Sequence, residues 1–319
     1  MVMAKRYSSK KGRNLEPAVM TMTFATPDTV GGSYTIDLSQ VASVLNRRFY
    51  RQGINWAVGG FKFLSTGTGA VTIGKIPNTW VTANAWKKAF EAWNRQQREA
   101  LEAAGGQSAA AKFRDFKVHM DVTHVTAGFS ANLKPIDLAA NSATMGEWDA
   151  SQIVLPNVAG PGVTGERLLH MVGVNVNGAT SRGVLEGYAD SRAYPQSPDP
   201  VSPALDGTDN WLARMFDVGD DIDTIIDNAI DKNDDLPYPQ ADYPGGETQL
   251  PGLEYHDAVQ IVNYSAGNNV GTQYGKGGNF PCGLVRIGWT PEGAHNLVIQ
   301  VDLVPGTHRG YLCEPMGDM

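Results

Sequence analysis

The chain lacks most features that mark secreted, membrane-bound or disulfide-stabilised proteins. Its 319 residues include two cysteines, Cys282 and Cys313, and neither belongs to a C-x-x-C pair. One pair is no disulfide framework for a chain of this size, so two reduced, partly buried thiols are expected. No apolar run approaches the roughly 20 residues of a membrane helix. No apolar segment follows the N-terminal charges as it would in a secretory signal. These absences fit an intracellular origin without membrane insertion.

Catalytic motifs are also missing, since the sequence contains no P-loop, no G-x-S-x-G and no H-E-x-x-H pattern. His119 and His124 are close in sequence, but five residues of separation along a strand would place their side chains on opposite faces. We therefore expect ordinary strand-face histidines rather than a metal pair. No catalytic residue can be assigned, and the chain is expected not to be an enzyme.

The acidic segment 217–235 contains the only metal candidate, a weak structural calcium site. Asp231, Asn233 and Asp235 have the spacing that opens an EF-hand loop. However, Leu236 stands where that loop needs glycine, and Asp242 stands where it needs glutamate. An EF-hand is therefore not expected. A looser calcium site at a subunit contact and a simple solvated acidic loop both stay open, and no other cofactor is expected.

Acidic residues are absent from the first thirteen positions, which carry five positive charges. Because the whole chain has a net charge of −7 and this arm contributes +5, residues 14–319 carry −12. Such an arm can bind nucleic acid, bind an anionic membrane, act as a nuclear address or serve as a solubilising tail. The residues expected to neutralise phosphates are Lys5, Arg6, Lys10, Lys11 and Arg13.

Hydrophobic residues alternate along much of the chain and predict a mostly β protein. The segment 116–123 (FKVHMDVT) has apolar residues at every second position, which predicts a half-buried strand. Further strands are predicted at 18–25, 34–38, 54–64, 70–76, 152–155, 169–176, 257–263, 283–289 and 297–303. Glycine-rich clusters such as Gly31-Gly32 and Gly277-Gly278-Asn279 are expected to separate strands as turns. This pattern predicts an antiparallel sandwich or barrel.

Two helices and one long loop are predicted to interrupt the strands. The first helix covers 83–104, with Thr82 as its N-cap and a tryptophan-rich stripe that is expected to pack into the core. The second covers 221–230. It lies within residues 190–252, which hold eight of the eighteen prolines and many aspartates. A segment of this kind is typical of a long functional surface loop or a disordered region.

Two stretches of the sequence are KIPNTWVTANAWKKAFEAW at 75–93 and HRGYLCEPMGDM at 308–319. Both resemble segments of the capsid proteins of small circular single-stranded DNA viruses that encode a replication initiator. The resemblance implies an all-β fold, a single jelly-roll β-sandwich of eight antiparallel strands in two sheets. It implies a flexible arm over 1–16 and a capsid domain over 17–319, with a helix inserted near 83–104 and a loop near 190–252.

The resemblance also implies a function and partners. Sixty identical copies would form an icosahedral shell (T=1), with the arm packaging single-stranded DNA on its inner surface. The protein would be found in virions and, if the arm is a nuclear address, in the host nucleus during assembly; its host receptor is unknown. Arms in this group are often longer and richer in arginine, and sixty copies of this arm carry only about 300 charges, so a longer genome needs other cations. A second basic cluster, Arg47, Arg48 and Arg51, could contribute, or could be an ordinary solvated edge.

Two other classes of function stay open. A lectin-like β-sandwich would contact sugar through loop aromatics such as Trp211, Tyr238 and Tyr243. A β-rich hydrolase would need two facing carboxylates in a cleft, and their separation cannot be read from a sequence.

Overall fold

The structure is a computed structural model that describes residues 17–27, 29–104, 115–156, 162–193, 227, 252–263 and 270–319. The basic arm, the calcium candidates and the aromatic loop residues of the lectin hypothesis lie outside these ranges. Of the predicted helix 221–230, residue 227 alone is described, and it is helical.

Strands are the main element of the described chain. In chain order they are β1 Thr21–Ala25, β2 Gly32–Asp37, β3 Ile54–Ser65, β4 Gly69–Lys75, β5 Gln152–Leu155, β6 Gly165–His170, β7 Val176–Asn177, β8 Ser181–Gly183, β9 Glu254–Ile261, β10 Gly271–Phe280, β11 Leu284–Pro291, β12 Leu297–Leu303, β13 Pro305–Gly306, β14 Gly310–Tyr311 and β15 Cys313–Pro315. The α-helices are α1 Leu38–Asn46, α2 Trp80–Ala103, α3 Val122–Ala127 and α4 Val184–Ala193. No helix in the described ranges has the length and apolar character needed to cross a membrane.

Eight of the strands form two antiparallel sheets, and together we call them the sandwich. One sheet has the order β1-β12-β3-β10, and β15 pairs with the end of β3. The other has the order β2-β11-β4-β9. Alternate side chains of β12, namely Leu297, Ile299, Val301 and Leu303, are buried in the core between the sheets. A mostly β, antiparallel architecture is therefore confirmed.

The connection between β4 and β9, residues 76–253, carries most of the remaining structure, and we call it the insertion. It contains α2, α3, α4 and a small sheet of order β5-β6-β8-β7, in which β6 and β8 are parallel. The predicted helix 83–104 and the proline-rich stretch 190–252 thus belong to one connection. A second apolar core joins the insertion to the sandwich, where Trp86 and Met171 pack with Cys282 and Met316.

Helix α2 begins earlier than predicted. Its N-cap is Thr79, whose side chain accepts a hydrogen bond from the Thr82 backbone N–H, so the prediction of Thr82 as the cap was wrong. Thr82 is instead fully buried in the first turn. The aromatic stripe packs as expected, because the rings of Trp86 and Trp93 both contact Phe116.

The predicted strand 116–123 is wrong, because the structure has no strand there and only His119 forms an isolated β-bridge, with His170. Phe116, Val118 and Met120 are buried as the alternation predicted, but the chain turns at Asp121 and begins α3 at Val122. The Asp121 carboxylate causes this turn by accepting the His124 backbone N–H, as a helix N-cap does. The predicted strand 169–176 also differs, since β6 ends at residue 170 and β7 begins at 176.

The cluster Gly277-Gly278-Asn279 lies inside β10 and is no turn. A Cβ on Gly277 would lie 2.4 Å from the carbonyl oxygens of Val58 and Gly59, and one on Gly278 would lie 2.7 Å from the His256 ring. These glycines therefore permit close approach of neighbouring backbone and side chains, which is a usual reason for glycine within a strand.

We expect Gly277→Ala to destabilise the sandwich, because the added methyl group would overlap backbone atoms of β3 that cannot rotate away. The expected loss in the free energy of unfolding is about 1–3 kcal/mol, measured by urea denaturation. Gly252→Ala is the control, since a Cβ there meets nothing within 4 Å. Equal stability of the two variants would contradict the tight packing of β10.

Candidate nucleic-acid interface

Helix α1 places the second basic cluster at the surface. Its N-cap is Asp37, whose carboxylate accepts the backbone N–H groups of Ser39 and Gln40 at 3.0 and 3.2 Å. The helix ends at Arg47, which adopts a left-handed conformation with φ 53°. That turn leads into the loop between α1 and β3, residues 47–53, in which Arg47 and Arg51 are exposed.

The loop is held in one conformation by buried hydrogen bonds. Tyr50 is fully buried, and its hydroxyl donates to the Arg309 carbonyl at 3.0 Å. The Ser39 hydroxyl donates to the Arg51 carbonyl at 3.1 Å. The Arg309 guanidinium in turn donates to the Phe49 carbonyl. Arg309 therefore belongs to the same surface, although it is about 260 residues away in sequence.

We define the basic loop surface as Arg47, Arg48, Arg51 and Arg309. Sequence reasoning found the first three and missed Arg309, although it lies in the HRGYLCEPMGDM stretch. Its positive φ of 50° was not visible in the sequence pattern. Arg47, Arg51 and Arg309 are exposed, and Arg48 is half-buried.

One carboxylate faces this surface. Asp115 Oδ1 lies 3.8 Å from Arg51 Nε, and Asp115 Oδ2 lies 3.3 Å from Lys117 Nζ. Burial raises the pKa of Asp115, and the nearby Lys117 and Arg51 charges oppose that rise. Lys117 Nζ also lies 4.7 Å from the centre of the Trp148 ring, a cation–π contact. Arg51 and Lys117 thus share the Asp115 carboxylate, which offsets part of their positive charge.

The basic arm joins the described chain beside this surface. Residue 17 is the first described residue after the arm, and two residues later the Val19 N–H donates to Asn46 Oδ1 at 2.9 Å. Asn46 is the residue before Arg47. The Tyr311 hydroxyl donates to the Val19 carbonyl at 2.7 Å, so both backbone polar groups of Val19 are hydrogen-bonded. The described chain therefore begins beside the basic loop surface, which the sequence alone did not indicate.

The histidines are placed differently from the prediction. His119 and His124 do not lie on opposite faces, because the chain turns into α3 between them and brings their ring centroids to 4.9 Å. Both are buried, so they are not ordinary strand-face residues. In the described ranges, no group of three or more His, Cys, Asp or Glu side chains is arranged to hold a metal ion.

Two cavities bear on the hydrolase hypothesis. One of about 770 Å³ lies between α2, α4 and the small sheet, with mainly apolar walls that include Trp80, Ile153 and Tyr188. The other, of about 490 Å³, lies at the end of the sandwich beside His295. The described residues that line them include no aspartate or glutamate, so these residues do not provide the paired carboxylates that this chemistry needs.

Similarity to known proteins does not decide the function. The chain matches no family model, no curated protein and no solved structure. Function has to be inferred from the strand order and the placement of charge.

Proposed function

We propose that the chain is a viral capsid protein. In this proposal it folds as a single jelly roll, assembles with copies of itself into an icosahedral shell of sixty subunits, and packages single-stranded DNA. The arm and the basic loop surface both bind the DNA, and the chain performs no catalysis.

The order of the eight sandwich strands is the observation that carries this proposal. Counted along the chain, the first pairs with the eighth (β1 with β12), the second with the seventh (β2 with β11), the third with the sixth (β3 with β10) and the fourth with the fifth (β4 with β9). This is the pattern of one long antiparallel ribbon folded over itself into two sheets. Eight-stranded jelly rolls of this kind occur in viral capsid and lectin domains.

The placement of charge favours the capsid over the lectin. A sugar-binding sandwich has no use for a five-charge arm, whereas a protein that packages nucleic acid needs cations that can reach phosphates. The four arginines of the basic loop surface extend that supply. They would raise the total in sixty copies from about 300 to about 540 positive charges, so that a longer DNA could be neutralised than by the short arm alone.

Removing the basic loop charges tests this proposal. We expect the triple variant Arg47→Gln, Arg48→Gln and Arg51→Gln to bind a single-stranded oligonucleotide more weakly. Three lost phosphate contacts should reduce the slope of log affinity against log salt by about 2. Fluorescence anisotropy at several salt concentrations measures both quantities.

A charge-matched variant provides the control. Lys87→Gln, Arg95→Gln and Arg98→Gln remove three exposed charges from α2, none of which belongs to the basic loop surface. If both variants lose the same affinity and slope, binding depends on net charge alone and the assignment of this surface is wrong.

A further inference from the structure

Three buried histidines meet where the insertion contacts the sandwich, and we call them the histidine cluster. His119, His124 and His170 are 3%, 1% and 0% exposed. The His119 ring stacks on Phe129 at 4.4 Å and meets the His124 ring edge-on. The backbone N–H of His119 donates to the Leu169 carbonyl, and this pairing sets His119 beside His170 in an isolated parallel β-bridge. Burial of three imidazoles in one place makes their protonation state important for this contact.

Hydrogen bonds require His124 to be neutral. Its Nδ1 accepts the Met120 backbone N–H at 3.0 Å, so this nitrogen carries no proton. Its Nε2 therefore carries the proton and donates to Asn132 Oδ1 at 2.8 Å. Asn132 then donates to Gln40 of α1 at 2.9 Å, which ties the insertion to the sandwich. A second proton on His124 would point at the Met120 N–H and break this chain of bonds.

Among the described residues, the Nδ1 atoms of His170 and His119 have no acceptor for a second proton. His170 Nε2 donates to the Val174 carbonyl at 3.0 Å, which leaves Nδ1 as the unprotonated nitrogen. The Nδ1 atoms of His170 and His119 are both buried without a hydrogen-bond partner among the described residues. A proton on either nitrogen would become a buried, unsatisfied donor on a cation, which is strongly unfavourable.

The surrounding charged groups do not remove this penalty. The Asp121 charge acts on His119 and His170, but its Oδ1 already accepts Arg286 Nη2 of β11 at 2.5 Å and the His124 backbone N–H. Arg286 adds a positive charge that opposes protonation of His124. Glu186 of α4 faces His170, and its carboxylate already accepts the Asn175 N–H.

We propose that the histidine cluster is an acid-operated latch, in which protonation releases the insertion from the sandwich while the sandwich stays folded. The latch is closed when all three imidazoles are neutral. It opens when they take up protons, because the open state lets water solvate the imidazolium groups.

The sign of the pH dependence follows from burial. Burial lowers the pKa of His119 to about 4 and that of His124 to about 3, and it also lowers the pKa of His170. In the open state these pKa values return to about 6.5. The open state therefore binds more protons, so closure is favoured above pH 6.5 and is lost progressively as the pH falls towards 4. Between pH 7 and pH 5, a single such histidine shifts the equilibrium towards opening on the order of 20-fold.

Amide hydrogen exchange on the full chain tests the latch. Leu133 and Ile136 of the insertion donate backbone hydrogen bonds to Thr35 of β2 and Thr23 of β1, so their amides report on the contact between the insertion and the sandwich. After correction for the intrinsic pH dependence of exchange, we expect their protection to fall at least 20-fold from pH 7 to pH 5. The amides of β3 and β12 should keep their protection. Unchanged protection of Leu133 and Ile136, or an equal loss in β3 and β12, would overturn the proposal.

A variant that cannot be protonated at position 170 tests the contribution of that histidine to the pH dependence. His170→Gln can still donate to the Val174 carbonyl but carries no titrating group, so the acid-induced loss of protection should shrink on the order of 10-fold. His256→Gln is the matched control, because His256 donates to the Lys276 carbonyl at the sandwich edge, away from the cluster. A loss that shrinks equally in both variants would contradict a latch at the histidine cluster. If His170→Gln does not fold, the native chain at the two pH values still decides the question.

Discussion

Neutralising the basic arm is expected to leave assembled particles nearly free of nucleic acid. The variant replaces with glutamine the residues Lys5, Arg6, Lys10, Lys11 and Arg13. Five lost phosphate contacts should reduce the slope of log affinity against log salt by about 3.5 for a single strand. The 260/280 nm absorbance ratio of purified particles should therefore fall towards that of protein alone.

The fold should not respond to this change, because the sandwich and the insertion are formed by residues from 17 onwards. Circular dichroism and the melting temperature are expected to match those of the native chain. The charge-matched control removes five cations from the body of the protein, namely Lys87, Lys88, Arg95, Arg98 and Lys276. An unchanged absorbance ratio in the arm variant would show that the arm is not the packaging element.

Asp37→Asn is expected to cause the largest loss of stability. The Asp37 carboxylate is fully buried and accepts four N–H groups, since Gln52 Nε2 and Trp148 Nε1 also donate to it at 3.1 and 3.0 Å. An amide at this position would place an NH₂ group against two of those donors. Burial raises the pKa of this carboxyl to about 6 despite the four donors. The native chain and the Asp37→Asn variant should therefore be compared at pH 8, where the Asp37 carboxylate is ionised.

The expected loss in the free energy of unfolding is about 3 kcal/mol, because two buried donors lose their acceptor at a cost of about 1–3 kcal/mol each. Urea denaturation followed by tryptophan fluorescence measures it. Asp149→Asn is the matched control, since it makes the same change at an exposed position next to Trp148. A loss below about 1 kcal/mol at Asp37 would mean that this carboxylate does not hold α1, the basic loop and the insertion together.

Alternation of side chains predicted β12 well, because this strand buries every second residue along its full length. β3 alternates only in parts, but both strands were predicted within one residue of their bounds. β10 was missed for the opposite reason. Its glycines accommodate close neighbours rather than bury side chains, so the strand has no hydrophobic alternation and looked like a turn.

The surfaces could be predicted only in part, because they depend on contacts between distant segments. The RRFYR cluster was visible as a run of charge, but Arg309 joins it through a hydrogen bond to Phe49 that no spacing rule contains. The histidine cluster was missed because one side chain, Asp121, ends the extended segment and begins a helix. His170 then enters from β6, some 50 residues further along the chain.

Electron microscopy of the purified full-length protein tests the central proposal most directly. Negative-stain images should be recorded over a range of salt concentration and pH, since both affect contacts between charged subunits. A capsid protein is expected to form closed shells of uniform diameter under some of these conditions. Monomers alone under every condition would contradict the proposal that this chain assembles into a shell.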